Sequence, residues 1–183
     1  MALEQQNVIV LPGYMNSGDG HWQTRWEARY PNFVRAPMRD WDRPVCDAWC
    51  ETLDATVAAS KEPVLLAAHS LGCLTVACWA ARHASKDALE KVAGALLVAV
   101  PDPTGPEFPA DASGFVVVPQ ERLPFRSIVV ASTDDPYGGV PFSQACAVAW
   151  GSRWESIGPR GHINADSGLG DWEEGQRWLA SMA

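Results

Sequence analysis

Asn7 to Leu11 reads NVIVL, a near-continuous apolar run, and the later stretches PVLLAA, GALLVAVP and SIVVAST have the same character. Apolar runs without polar alternation mark strands buried on both faces of a sheet. Two shorter stretches, NFVRAP and RWESIG, supply a second strand and a last one. Between the strands the period lengthens to that of a helix. Trp22, Trp26 and Tyr30 recur four residues apart behind Asp19, which offers a cap. Cys46, Trp49, Cys50, Leu53 and Val57 mark one helical face, with Pro44 suited to its first position. LGCLTVACWAARHA is apolar nearly all round, as buried helices are. Pro141 to Trp150 forms a further helix stopped by Gly151, and Asp171 with Glu174 resembles a capping box for a C-terminal one.

Strands alternating with helices predict an α/β fold: a mostly parallel sheet of about six strands, covered by helices on both faces. At 183 residues, one domain spanning 1–183 is expected. There is no internal repeat. The stretch from Asp102 to Arg126, rich in proline and without periodicity, is the one long irregular connection, and such loops often wall a functional pocket.

Charge narrows the function classes. A net charge of −8 argues against nucleic acid or an anionic membrane as partner, since both attract basic surfaces. The N-terminus enters a strand at once, with neither signal peptide nor membrane-spanning helix, so a cytoplasmic protein is expected. The five cysteines show no CxxC spacing and read as small buried residues of a reducing compartment, not as a disulfide or zinc set. No cluster has metal-ligand spacing, and no cofactor is expected. Most of the nine tryptophans read as core, leaving a minority to line a pocket.

The stretch AAHSLG carries the chemistry. Ser70 stands where the third strand turns into a buried helix, with the small residues Ala68 and Gly72 two positions to either side. Such a pattern suits a nucleophile elbow, in which strand and helix backbones pass too close for larger side chains. The plainer alternative is a serine that caps the helix. A serine nucleophile needs a base, and the base needs a carboxylate. SIVVAST runs into DDPYGG, placing Asp134 and Asp135 past a strand end, and RWESIG runs into PRGHIN, placing His162 after the last strand. The order Ser, Asp, His is that of α/β-hydrolases. The other histidines suit structural roles: His21 in the first helix, exposed or beside Trp22; His69 supporting the serine turn; His83 at a helix end. The backbone N–H of Leu71, at a helix start, and that of Tyr14, in the glycine-containing turn after the first strand, are the candidate oxyanion donors.

LPGYMNSGDGHWQTRW, DWDRP, AHSLGC, STDDPY and GHINADSGLGDWEEG together resemble the small serine hydrolase family that includes retinoblastoma-binding protein 9, over nearly the whole chain. The resemblance implies a minimal α/β-hydrolase fold without a cap domain, with Ser70 as nucleophile, Asp135 as acid and His162 as base. Ala68 departs from the glycine that relatives often carry, which implies a tighter turn without loss of activity. The backbone agrees on the acid. Asp135 precedes Pro136 and is biased towards an extended conformation, which leaves Asp134 to accept hydrogen bonds from the turn DPYGG.

The expected activity is hydrolysis of a small ester, thioester or amide through an acyl-enzyme. The expected pocket is shallow, walled by the Tyr14–Trp22 loop, the Asp102–Arg126 connection and Ile163. Two alternatives remain open at this level: a hydrolase scaffold that binds an unknown protein partner without turnover, and a perhydrolase using the same three residues.

Overall fold

The computed structural model describes residues 3–183. Six parallel strands form one sheet: β1 (Asn7–Leu11), β2 (Phe33–Arg35), β3 (Val64–His69), β4 (Val92–Val98), β5 (Arg126–Ala131) and β6 (Arg153–Ser156). Their order is β2-β1-β3-β4-β5-β6. The chain steps outward from β1 to β2 and then returns to β3 on the other side of β1. That reversal opens a crevice at the carboxyl ends of β1 and β3, where open parallel sheets bind ligands.

Alternation along each strand sorts the apolar residues into two cores. Ile9, Leu11, Leu66, Ala68, Leu97 and Val129 face α2 (Cys46–Ala59), α3 (Leu71–Cys78) and, further along the chain, the helix Val140–Trp150. Val8, Val10, Leu65, Ala67, Leu96 and Val130 face α1 (Trp22–Arg29) and the C-terminal helix. The expected α/β sheet with helices on both faces is therefore present. Trp22, Trp26, Trp49, Trp79 and Trp150 are fully buried, which places most of the indoles in the cores, and all five cysteines are buried. Among the described residues no helix is long and apolar enough to cross a membrane.

Several boundaries differ from the sequence expectation, each for a local reason. Asp19 does not cap α1; His21 does, its Nδ1 accepting from the Gln23 N–H at 3.2 Å. Pro44 precedes α2 instead of opening it, because Val45 is held extended in a bridge to Ser113. The central helix stops at Cys78. Trp79–His83 forms a wider π-turn in which the Ala84 N–H reaches the Trp79 carbonyl, while Trp79 Nε1 donates to Asp54. Ser85 then caps a short helix, α4 (Lys86–Glu90), too brief to leave a periodic signal. His83 pairs with Asp47 at 3.2 Å.

The helix after β5, α5 (Val140–Trp150), ends on Gly151 in the left-handed conformation, as its sequence suggests. The expected capping box does not form on α6 (Glu173–Ala180). Trp172 stands at the cap with φ 41°, and Asp171 instead pairs with Arg25 at 2.6 Å. Tyr30 lies just beyond α1, its hydroxyl donating to Gln176 at 2.7 Å.

The long connection between β4 and β5 is irregular but tied down. Ser113 O accepts from Cys46 N, Pro119 O from Trp150 Nε1 at 2.9 Å, and Phe115 is buried edge-on to Trp49. These contacts lay it over α2 and α5. Its first residues lie by the strand ends, where Asp102 N donates to Tyr137 O.

Candidate active site

Ser70 sits between β3 and α3 with φ 54° and ψ −123°, a conformation that L-residues seldom adopt. Holding it there costs about 1–3 kcal/mol, supplied by the burial of α3 on all sides. Two glycines make the turn fit. A Cβ at Gly72 would lie 2.3 Å from the Leu11 carbonyl oxygen and 3.0 Å from that of Pro12, so only glycine lets α3 start against the end of β1. A Cβ at Gly13 would lie 2.6 Å from Ser70 Cβ and 3.2 Å from Leu71 N. This close approach brings the Gly13–Tyr14 peptide beside the first N–H of α3, which has no intrahelical acceptor. The Tyr14 N–H has no acceptor among the described residues. Gly13, the residue before Tyr14, is packed against Ser70 and the start of α3.

The consequence for stability is direct. Gly72→Ala forces backbone against backbone, and we expect it to cost about 2–3 kcal/mol, lowering Tm by roughly 5–10 °C. Gly18, with nothing within 4 Å of a built Cβ, is the control, and its change to alanine should leave Tm nearly unmoved. Thermal melts of the two variants compare them; equal melts would contradict the packing described for Gly72.

His162 reaches the same point from the loop after β6. Its Nε2 lies 2.9 Å from Ser70 Oγ, and its Nδ1 lies 2.9 and 3.0 Å from the two Asp135 oxygens. A carboxylate only accepts, so Nδ1 carries the proton and Nε2 is left to accept from the Ser70 hydroxyl. The Asp135 side chain is almost fully buried, and its Oδ1 also accepts from Tyr137 N at 3.0 Å. Here the expectation for the neighbouring aspartate fails. Asp134 takes nothing from the turn DPYGG; its Oδ1 accepts from Ser132 Oγ and Gly161 N, both at 2.7 Å. These two bonds, the Ser132 hydroxyl foremost, lower the Asp134 pKa. Successive side chains point apart, so Asp135 faces the imidazole while Asp134 faces the backbone leading to it.

Two of the other histidines, His69 and His21, form a buried row behind His162. Ring centroids are 4.8 Å apart between His162 and His69, and 4.6 Å between His69 and His21. His69 Nε2 donates to the His162 carbonyl at 2.8 Å, so it supports the histidine loop more directly than the serine turn. Burial is the main cause that pushes His21 down to about 3 and His69 well below its usual value, which leaves both neutral at any working pH. His21 is buried, contrary to an exposed placement, and packs beside Trp22.

Residues with no sequence signal hold the loop after β1. Gln23 is fully buried; it donates to the Leu11 and Ala67 carbonyls at 3.0 and 2.9 Å and accepts from Ser17 Oγ at 2.7 Å. Arg35, paired with Glu27, donates to Asn16 Oδ1 and to the Ser17 carbonyl. A glutamine on an amphipathic helix reads as surface; only the tertiary structure puts this one under the strand ends.

Beside His162 lies an open cleft of about 420 Å³, bordered by Tyr137, Pro159, Arg160, Asn164, Asp166 and Ser167. The Tyr137 ring stands 4.4 Å from that of His162. Ile163, expected as a pocket wall, is instead fully buried, with φ 49° and its carbonyl accepting from Trp22 Nε1 at 2.9 Å. A larger cavity of about 850 Å³ lies between β2 and α2 and contains none of these residues, so its size says nothing about the chemistry.

Several proteins of known structure share this fold. A YdeN-like hydrolase from Pectobacterium atrosepticum is 31% identical, with a TM-score of 0.83 over 98% of this chain and 92% of that one. The ydeN gene product of B. subtilis is 20% identical, with a TM-score of 0.71 over 97% and 98% of the two chains. Est1E from Butyrivibrio proteoclasticus, 13% identical, shares the fold with a TM-score of 0.71 over 98% and 89%. No curated protein matches the chain significantly. The serine hydrolase family model matches residues 8–181, nearly the whole length, and the chain belongs to that family.

Proposed function

We propose that this serine hydrolase cleaves a small ester, thioester or amide by a Ser70–His162–Asp135 triad through an acyl-enzyme. One observation carries the reading: Ser70, on a strained strand-to-helix turn, has its Oγ 2.9 Å from an imidazole whose other nitrogen is bound by a buried carboxylate. A serine that merely capped α3 would bond the helix backbone, and Ser70 makes no such bond. The turn has the geometry of a nucleophile elbow. The motifs around Ser70 and His162 further support a place among the small members that include retinoblastoma-binding protein 9.

The steps follow from the positions of the groups. Ser70 Oγ attacks the substrate carbonyl carbon while its proton passes to His162 Nε2. The carbonyl oxygen becomes an oxyanion, and the N–H groups of Leu71 and Tyr14 donate to it. As the tetrahedral species collapses, the bond to the leaving group breaks and His162 returns the proton to it. Water then attacks the acyl-enzyme with His162 again as base, releasing the acid and restoring Ser70. Asp135 holds the Nδ1–H tautomer and stabilises the imidazolium formed in each half.

A fluorophosphonate probe tests the reading without knowledge of the substrate. Ser70 should be the labelled residue on intact-mass and peptide analysis. Replacing His162 by alanine should slow labelling by orders of magnitude in a still-folded protein, since the imidazole that takes the Ser70 proton is gone. Absence of labelling in folded protein would favour a scaffold that binds without turnover.

A further inference from the structure

The segment carrying His162 turns sharply on both sides of that residue: Gly161 has φ 56° and Ile163 φ 49°. A backbone with two left-handed residues around one side chain needs outside support to keep that side chain aimed. The support comes from several elements. On the carbonyl side, His69 Nε2 donates to His162 O, Trp22 Nε1 to Ile163 O and Ser167 Oγ to Arg160 O. On the N–H side, one atom gathers the bonds of the two residues before His162. Asp134 Oδ1 accepts from Gly161 N directly, and it accepts from Ser132 Oγ, which in turn accepts from Arg160 N at 2.9 Å. Ser132 is fully buried, so this second path is enclosed.

We propose that Asp134 is a positioning residue for His162, fixing the backbone of the residue whose ring Asp135 fixes. The inference rests on the triad reading above and adds a role to the second aspartate. Two adjacent carboxylates then set two independent features of one imidazole: Asp135 its tautomer and ring plane, Asp134 the height of its Cα above the strand ends. Oδ1 alone makes both contacts, so the requirement is for an acceptor at that point and not for a charge. Loss of the acceptor frees Gly161 N to water and leaves the buried Ser132 hydroxyl without its acceptor, which lowers stability without undoing the fold. The larger cost falls on geometry, and a displacement of about 1 Å at a reacting group lowers turnover by about 10²-fold.

Asp134→Ala and Asp134→Asn, read on an ester substrate, separate the possibilities. For the alanine variant we expect kcat reduced about 10–100-fold with KM within about threefold of wild type, and Tm lowered by a few degrees by the unpaired Ser132 hydroxyl. The asparagine variant, whose Oδ1 can face both donors, should restore kcat to within about threefold. The low-field proton resonance of His162 Nδ1–H should broaden or vanish in the alanine variant and persist in the asparagine one. An alanine variant with wild-type kcat and an unchanged resonance overturns the proposal. So does an asparagine variant as slow as the alanine one, because charge would then matter and not the acceptor. If wild-type protein neither turns over nor labels at Ser70, the triad reading fails, and the resonance alone decides whether Asp134 positions the ring.

Discussion

Ser70→Ala is expected to fold as wild type does and to lose about 10⁶-fold in kcat, the scale of triad knockouts in another serine hydrolase. The change removes one hydroxyl and almost no volume, and alanine tolerates the turn no worse than serine. The loss is large because the other groups have nothing to act on. His162 Nε2 would face a methyl group where it now faces an oxygen at 2.9 Å, and the N–H groups of Leu71 and Tyr14 would await an oxyanion that never forms. Residual hydrolysis would come from water bound near the same donors. Steady-state turnover of a chromogenic ester, with a thermal melt as control, measures both halves of the expectation. A folded variant that keeps a tenth of wild-type activity would move the nucleophile elsewhere.

Asp135→Asn carries the second-largest effect, a loss of about 10⁴-fold in kcat on the serine-protease precedent for this substitution. Asparagine can keep its Oδ1 on Tyr137 N, which preserves the turn. Its amide nitrogen then meets His162 Nδ1 as donor against donor. The imidazole escapes by moving its proton to Nε2, and that nitrogen can no longer accept from Ser70. Fold and substrate binding survive while the tautomer is wrong, so kcat falls and KM barely changes. Asp134→Asn in parallel is the sharp control, since its acceptor atom is retained. Reversal of the two outcomes would exchange the roles of the aspartates.

The sheet and its contents were legible because burial on both faces leaves short unbroken apolar runs such as Val8–Leu11 and Leu65–Ala68, each with a proline or a polar residue close at either end. Ser70 was legible for a related reason: a turn this tight admits only small neighbours, and Gly72 records that in the sequence. Helix ends were less so. Asp19 and Asp171 have capping chemistry, yet His21 caps α1 and Asp171 pairs with Arg25, because the available partners depend on which elements meet.

By itself, then, the sequence determined the parallel α/β sheet, the order Ser70, Asp135, His162 along it, and the small residues that let strand and helix cross. These are local matters, set by periodicity and by steric limits within a few residues. Only the tertiary structure decided that Asp134 serves the histidine loop and not its own turn, that Gln23 lies buried beneath the strand ends, and that Ile163 is core and not pocket wall. Each of those roles depends on a partner far along the chain: Gly161 for Asp134, Ala67 for Gln23, Trp22 for Ile163. A polar side chain takes whichever donor or acceptor the fold brings within about 3 Å, and that choice leaves no periodic trace in the sequence.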